Sequence, residues 1–426
     1  MFTSAKVSRL LVWLRAIRLS VPVTLWWFLL AMILANLGGN MYGPLLPVYL
    51  QNLGASLPET GLFFTLSQIV PLALQILGGW ISDSLGRLRA IAIGSLFGML
   101  AYLPLILAPS WEWVLLSSVL GSFTGALVAP SFEAFIAEQT REGQRGRFFG
   151  LSQAIFSVVG VIGPALGGWL AQVRGFRFML VVAALFYLCA TLIRLIMAQR
   201  AGSQEAAATH FSLDRLKENL STLLAMLFSG GVVSWILITD GIRDVSFSLS
   251  MNLQPVYMEK IAGLNLVEIG TLISLYGAAM MLTLFPAGLF ADRVGERWGI
   301  AVGMGLLGTG MALVFLMPVP SPLGVYVLGV VLAGTGAGLM TPAYQSLISK
   351  VIPQHLRGTA FGLFGTGLGL IALPAPWLGS LLWEHFNPRL PFAISIGSLL
   401  IVIPATLRKF RLEKNPNFGE ENDGNP

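Results

Sequence analysis

Two nearly repeated stretches decide how this chain folds: GWISDSLGR at residues 79–87 and GLFADRVGER at residues 288–297. Each closes an apolar run and carries one acid, then a glycine, then basic side chains. A charged turn that occurs twice between hydrophobic segments predicts a chain with two equivalent halves. In membrane proteins, such halves usually move against each other around a central site.

The composition predicts an all-α membrane protein. Of the 426 residues, 55% are hydrophobic and only 11% are charged, whereas about a quarter of a soluble protein's residues are charged. Runs of about 20 apolar residues recur, and a helix of that length crosses the hydrocarbon core with its backbone hydrogen bonds satisfied. We predict twelve transmembrane helices, called spans one to twelve, near residues 25–50, 60–82, 88–108, 112–137, 148–172, 176–198, 230–258, 267–291, 299–317, 322–349, 359–383 and 389–408.

The net charge of +6 reflects membrane topology rather than binding to nucleic acid. If residue 1 is cytoplasmic, the basic side chains, Arg194 among them, fall almost entirely inside. The exceptions are Arg174, Arg177, Lys260 and Arg389 outside, and Arg243 within a span. That bias predicts a multi-pass protein of the inner or plasma membrane with both termini in the cytoplasm.

Other features recur in the same register in both halves. Ser56 with Glu59, and Asn265 with Glu268, predict capping boxes at equivalent helix starts. Further equivalent pairs are Pro47 and Pro255, Pro130 and Pro342, and Pro164 and Pro376. The predicted organisation is a basic segment at 1–24, a six-helix bundle at 25–198, a linker at 199–229, a second six-helix bundle at 230–408 and a disordered tail at 409–426.

Four stretches of the chain resemble parts of the major facilitator superfamily, and the resemblance covers residues 25–408. The turn at 79–89 resembles that family's most widespread signature, and 288–297 resembles a weaker second copy. The glycine-rich stretch 160–168 is similar to the signature of its proton-exchanging exporters. The region 133–150 looks like the corresponding part of tetracycline-type drug exporters.

The resemblance implies twelve helices in two pseudo-symmetric six-helix bundles that work by alternating access. We therefore expect a secondary transporter that exports a small, partly apolar compound by proton antiport. Ser117 stands where the exporter branch usually carries an arginine, and span one lacks a buried acid. One alternative is a uniporter or symporter in which Arg243 binds a small anionic metabolite. Another is a non-transporting membrane sensor or scaffold on the same fold.

The repeated turn is predicted to form a cytoplasmic gate. Its first glycines would allow close helix contact, and its second glycines a tight turn. The resemblance implies that its acids pack against a helix N-terminus and loop arginines. Our hypothesis is that Asp83 with Arg87 or Arg145 latches the outward-open state, and the alternative is a role in folding and topology alone. The predicted gate residues are Gly79, Asp83, Gly86, Arg87, Arg89, Arg145, Gly288, Asp292, Gly295 and Arg297.

Span five has small residues at a spacing that leaves one helix face nearly bare. Such faces let helices approach closely in lipid, and a proline can bend the helix there. We predict a hinge and seal between the halves, and simple tight packing is a compatible alternative. The predicted hinge residues are Gly160, Gly163, Pro164, Gly167 and Gly168.

Span seven carries the charges Asp240, Arg243 and Asp244 close to the predicted middle of the bilayer. Each charge costs about 2.5–3.5 kcal/mol there on insertion scales, and such residues are functional by default. The two acids share one helix face, and burial favours the protonated form of an acid that cannot fully share one guanidinium. We predict a site of proton coupling and substrate binding, the alternative being a structural ion pair.

Polar side chains elsewhere in the spans are candidates for a substrate cavity. By the duplication, Asp244 corresponds to Asn36. Hydrogen bonding to a neighbouring helix is the alternative role for such groups. The predicted cavity residues are Asn36, Asn40, Gln68, Tyr276, Tyr344 and Gln345.

Several functional classes are excluded by what the sequence lacks. It has no phosphate-binding loop, its three histidines offer no metal-ligand spacing, and no soluble domain is large enough for catalysis. We expect no enzyme, no catalytic residue, no metal and no cofactor, with a proton gradient as the driving force. The expected partners are a small-molecule substrate, protons and the lipid bilayer, with neither nucleic acid nor an obligate protein partner, so that the chain is a monomer.

Overall fold

The computed structural model describes residues 23–74, 86–140, 145–200, 231–352 and 367–410, and all regular structure in these ranges is helical. The helices are Val23–Tyr42 and Leu46–Asn52 in span one, Leu57–Ser67 in span two, Arg87–Leu107 in span three, Glu112–Gln139 in span four, Arg145–Arg174 in span five, Phe176–Arg200 in span six, Val232–Ser250 and Gln254–Lys260 in span seven, Leu266–Val294 in span eight, Glu296–Phe315 in span nine, Leu323–Val351 in span ten, Ala375–His385 in span eleven and Leu390–Lys409 in span twelve.

Ten helices in these ranges are long and apolar enough to cross a membrane. The other two predicted crossings are spans seven and eleven. Span seven carries the charged triad, which lowers its hydropathy, and span eleven is described only from residue 367. The predicted fold of twelve helices in two six-helix bundles is confirmed.

Spans one and seven break in the same way, which repeats the duplication in three dimensions. In each, a long helix passes through a short 3-10 turn, Gly43–Leu45 or Met251–Leu253, into a helix of seven residues. Pro47 and Pro255 lie in the first turn of that final helix, where the missing N–H costs nothing. Equivalent prolines therefore place equivalent breaks.

The turns between helices also match across the halves. The capping boxes are confirmed, since the backbone N–H of Ser56 donates to Glu59 at 2.7 Å and that of Asn265 to Glu268 at 2.9 Å. Gly86 has φ +82° and Gly295 has φ +102°, a region that a Cβ disfavours. The charged turn therefore needs glycine at this position in both copies.

The chain divides into two compact units that do not follow the boundary between its sequence halves. The first unit comprises the described residues of Met1–Phe211, Ser250–Ala278 and Leu373–Pro388. The second unit comprises the described residues of Ser212–Leu249, Ala279–Ala372 and Arg389–Pro426. Segments of spans seven, eight and eleven join the first unit because their ends pack against spans one, two and five.

One basic residue of the predicted cytoplasmic set lies inside the first unit instead. Arg194 is only 2% exposed, and its Nη1 donates to Ser95 Oγ at 2.8 Å. The span-six helix continues to Arg200, so Arg194 is about 9 Å short of the helix end. Grouping Arg194 with the cytoplasmic charges was therefore wrong, because the residue lies within the predicted span six, 176–198, and its side chain is buried there.

Candidate functional site

Arg243 binds both acids of the span-seven triad. Its Nη1 lies 3.0 Å from Asp240 Oδ1, and its Nη2 lies 2.9 Å from Asp244 Oδ1. Its Nε also donates to Asp244 Oδ1, at 3.0 Å. All three nitrogens of the guanidinium therefore face carboxylate oxygens.

An aromatic ring from span ten covers the same guanidinium. The Arg243 Cζ lies 5.0 Å from the ring centroid of Tyr344, within the range of a cation–π interaction. Phe410 packs edge-on against that ring, with centroids 6.4 Å apart. The Tyr344 hydroxyl is buried and interacts with the carboxylate of Asp240.

The three charged side chains differ in their access to solvent. The exposed fraction is 15% for Asp240 and 18% for Arg243, but 44% for Asp244. Asp240 therefore lies behind the guanidinium, while Asp244 is the carboxylate that a solute can reach.

The local sequence explains how this cluster forms. All three residues lie on the helix Val232–Ser250, where side chains three and four positions apart are neighbours. A Cβ on Gly241 would come within 3.3 Å of Leu368 Cδ2. The glycine between the charges thus lets a span-eleven side chain pack closely beside the triad.

The predicted cavity residues are only partly brought together. Tyr344 contacts the triad, whereas its neighbour Gln345 is exposed, as is Gln68. Asn36 donates to Met32 O and Asn40 to Asn36 O, both at 2.8 Å and both within their own helix. Tyr276 belongs to the first unit. All six cavity assignments remain predictions, and Tyr344 is the candidate that lies beside the triad.

Part of the predicted gate lies outside the described residues, namely Gly79, Asp83 and the side chain of Arg145. The latch formed by Asp83 therefore remains a hypothesis. Arg89 and Asp292 are exposed, and Arg297 lies 6.0 Å from the ring of Trp298.

One gate prediction is contradicted by the structure. Gly288 was expected to permit close helix contact, but a Cβ at this position would meet no heavy atom of the described chain within 4 Å. Its neighbour Leu289 is also exposed. Among the described residues, Gly288 therefore makes no close helix contact that requires glycine.

The structure contains two ion pairs that the sequence analysis did not predict. In the first half, Arg87 Nε lies 3.1 Å from Glu138 Oε1 and joins spans three and four. In the second half, Lys350 pairs with Glu296, and Ser346 Oγ donates to the same carboxylate at 2.8 Å. We call these pairs the loop-end clamps.

The clamps occupy equivalent positions with reversed charge. Arg87 follows Gly86 as Glu296 follows Gly295. Glu138 and Lys350 stand at the same spacing after the equivalent prolines of spans four and ten. Aligning the two halves residue by residue would have revealed this reversal, since each pair joins an acid to a base.

The reversal predicts that the second clamp tolerates an exchange of its two charges. Lys350→Glu should lower the free energy of unfolding by about 1–3 kcal/mol, because it leaves the largely buried Glu296 carboxylate facing a like charge. Adding Glu296→Arg should restore most of that loss, since it recreates the polarity of the first clamp. Thermal unfolding in detergent measures both effects. A double variant that is no more stable than Lys350→Glu alone would contradict the equivalence.

The span-five glycines differ in their surroundings. A Cβ on Gly163 would lie 2.5 Å from Asn40 Cβ, and Cβ atoms on Gly167 and Gly168 would clash with the backbone of Met41 and Leu266. Gly160, by contrast, faces open space among the described residues. The backbone of Gly160 still lies on the close-contact face, since a Cβ on Gly277 of span eight would lie 3.6 Å from Gly160 O. The contacts that require glycine in span five therefore begin at Gly163.

Comparison with known proteins gives one matching family model and many relatives. The model described as Major Facilitator Superfamily matches residues 28–242 and 241–424. Multidrug resistance protein MdtH of Aeromonas salmonicida (strain A449) is 25% identical over 394 residues, covering 89% of this chain and 94% of the relative. Tetracycline resistance protein, class B, of Escherichia coli is 24% identical over 369 residues, covering 84% and 87%.

Solved structures share the fold at lower sequence identity. A bacterial homologue of the iron transporter ferroportin, in an inward-facing state, superposes with a TM-score of 0.72 at 16% identity. The match covers 91% of this chain and 98% of that protein.

Proposed function

Because the chain belongs to the Major Facilitator Superfamily, we propose that it is a proton-coupled exporter of small, partly apolar compounds that works by alternating access. Membership of this family makes it a multi-pass transporter of small molecules. The resistance proteins among its relatives support the outward direction of transport and a drug-like substrate.

The observation that carries proton coupling is the charged triad of span seven. Two carboxylates share one guanidinium, so the fully ionised cluster has a net charge of −1. A net charge is costly within a bilayer, whereas one added proton makes the cluster neutral. The cluster can therefore hold either a proton or a substrate cation.

The geometry assigns different roles to the two acids. Asp240 is the less exposed carboxylate and keeps Arg243 in place. Asp244 is nearly half exposed and is the acid at which proton and substrate compete. The Tyr344 ring beside the guanidinium offers an apolar surface to the substrate.

The same geometry favours neutral or cationic substrates over anions. Each guanidinium nitrogen of Arg243 already faces a carboxylate oxygen. An anion would have to displace one of these carboxylates and would meet the surplus negative charge. The anion symporter is thus the less favoured alternative.

The proposed topology follows from the distribution of basic residues. Both termini lie in the cytoplasm of an inner or plasma membrane, and the six-helix halves are residues 25–198 and 230–408. The chain acts as a monomer with protons and a small molecule as its partners, and the repeated turn closes the cytoplasmic side.

Reconstitution into vesicles with an imposed pH gradient tests the proposal. Tetraphenylphosphonium, a neutral amphiphile and salicylate serve as the cationic, neutral and anionic probes. We expect the cation or the neutral compound to accumulate against its gradient and to drain the pH gradient, as reported by a pH-sensitive dye. Accumulation that ignores the pH gradient would indicate a uniporter, gradient-driven uptake of salicylate an anion symporter, and no flux of any probe a sensor or scaffold.

A further inference from the structure

Within the first unit, spans five and eight cross with their backbones in contact. A Cβ on Gly168 would clash with Leu266 O, and a Cβ on Gly270 would clash with Pro164 O. The added Cβ on Gly168 would also lie 3.2 Å from Gly270 Cα. Only glycine permits this approach on both helices.

Two polar contacts hold this crossing together. The backbone N–H of Ala165 donates to Ser274 Oγ at 3.0 Å, and the backbone N–H of Leu266 donates to Gln172 Oε1, also at 3.0 Å. Pro164 clashes with the carbonyl one turn earlier and disturbs the helix at this point, so the next N–H, that of Ala165, is open to a hydroxyl of a neighbouring helix. Leu266 begins span eight, where backbone N–H groups lack partners within the helix.

Spans two and eleven form an equivalent crossing in the same unit. A Cβ on Gly61 would lie 2.5 Å from Pro376 O and would clash with Ser380 Oγ. In the register of the duplication, Gly61 corresponds to Gly270, Pro376 to Pro164 and Ser380 to Gly168. The two crossings therefore repeat one arrangement of proline carbonyl against glycine.

The second crossing lacks the polar contacts of the first. Thr65 corresponds to Ser274, and its buried hydroxyl has no hydrogen-bond partner among the described residues. Glu384 corresponds to Gln172 and is exposed, and no hydrogen bond joins it to span two within the described ranges. Pro376 lies in the first turn of its helix, so it leaves no interrupted hydrogen bond for Thr65 to satisfy.

We propose that Ser274 and Gln172 are positioning residues that hold the crossing of spans five and eight, and that this crossing opens less readily than its counterpart between spans two and eleven. The inference rests on the proposed alternating access, because the charge distribution predicts that both crossings lie on the outer side. The crossing that carries the hydrogen bonds, that of spans five and eight, then limits how fast the outer side of the protein opens.

Distance measurements between spin labels can follow each crossing separately. Cys189, the only cysteine, is replaced by serine to give a label-free background. Exposed positions 173 and 271 report on spans five and eight, and exposed positions 66 and 378 report on spans two and eleven. The protein is studied at full length in lipid nanodiscs, without substrate or gradient.

In the first label pair, Ser274→Ala and Gln172→Ala should each raise the ratio of separated to closed crossings. We expect an increase of about fivefold for the buried Ser274 and a smaller increase for the exposed Gln172. Ser274→Thr keeps the hydroxyl and should restore the closed crossing, which a loss of packing alone would not predict. The matched variants Thr65→Val and Glu384→Ala should leave the distances in the second label pair, on spans two and eleven, unchanged.

Two results would overturn the proposal. One is an unchanged first crossing in both alanine variants, and the other is an equal opening of the second crossing by Thr65→Val. If Ser274→Ala does not fold, the exposed Gln172→Ala and the conservative Ser274→Thr still decide between these outcomes. Since no transport is measured, this test can fail while proton-coupled export holds, and it can succeed where export fails.

Discussion

Vesicles containing Asp244→Asn are expected to show no pH-driven transport above that of protein-free vesicles. The substitution keeps the size of the side chain but leaves Arg243 paired with Asp240 alone, so the cluster is permanently neutral. It then has no surplus charge to exchange between a proton and a substrate. Exchange of labelled for unlabelled neutral amphiphile at equal pH on both sides should continue, because that exchange needs neither proton movement nor the surplus negative charge.

Asp240→Asn should also abolish pH-driven transport, for a different reason. The remaining Asp244–Arg243 pair is neutral, and Asp244 is then held as the sole partner of the guanidinium. A suitable control is Glu112→Gln, since Glu112 is an exposed acid at the start of span four and lies outside the triad. If both aspartate variants transported at the rate of Glu112→Gln, the triad would be a structural ion pair and the proposed coupling would be wrong.

Gly168→Leu is expected to eliminate transport of every probe, including exchange at equal pH. The added side chain would clash with the backbone of span eight, and overpacking of this kind typically costs about 1–3 kcal/mol. The closed crossing of spans five and eight would be disfavoured by that amount, so the outer side could not close during the cycle. Alternating access requires the outer side and the cytoplasmic side to close in turn. Net transport and substrate exchange would therefore both stop.

Gly160→Leu is the matched control for that variant. Gly160 lies on the same helix, but a side chain there would enter open space among the described residues. We expect near-normal transport from this variant and a similar yield of folded protein from both. Equal loss of transport in the two variants would mean that span five needs glycine for flexibility along its length and not for contact with span eight.

The duplicated turn carried most of the fold prediction because a repeated register constrains many residues at once. Pro47 and Pro255 place equivalent breaks, and Gly86 and Gly295 adopt the same positive φ. The triad was also predictable, since side chains separated by three or four residues on one helix must be neighbours. The order in which the three side chains of the triad are exposed could not be predicted, because that order depends on the packing of span ten.

Sequence motifs alone could not predict contacts between residues that are distant along the chain. Tyr344 reaches Arg243 only through the packing of spans seven and ten, so its sequence position gave little sign of the contact. Arg194 was grouped with the cytoplasmic charges although it lies within the predicted span six, because hydropathy does not reveal which charge near a helix end is buried. The loop-end clamps were missed because the two halves were compared for identical residues, whereas Arg87 and Glu296 are equivalent with opposite charge.

Proton release on substrate binding tests the central claim most directly, namely that span seven exchanges a proton for substrate. A transported cation is added to purified protein in weakly buffered detergent solution that contains a pH indicator. We predict that the wild-type protein releases protons when the cation binds and that Asp244→Asn, which lacks the surplus charge, releases none. Equal proton release from wild type and Asp244→Asn would contradict the account, because the exchanged proton would then come from another group.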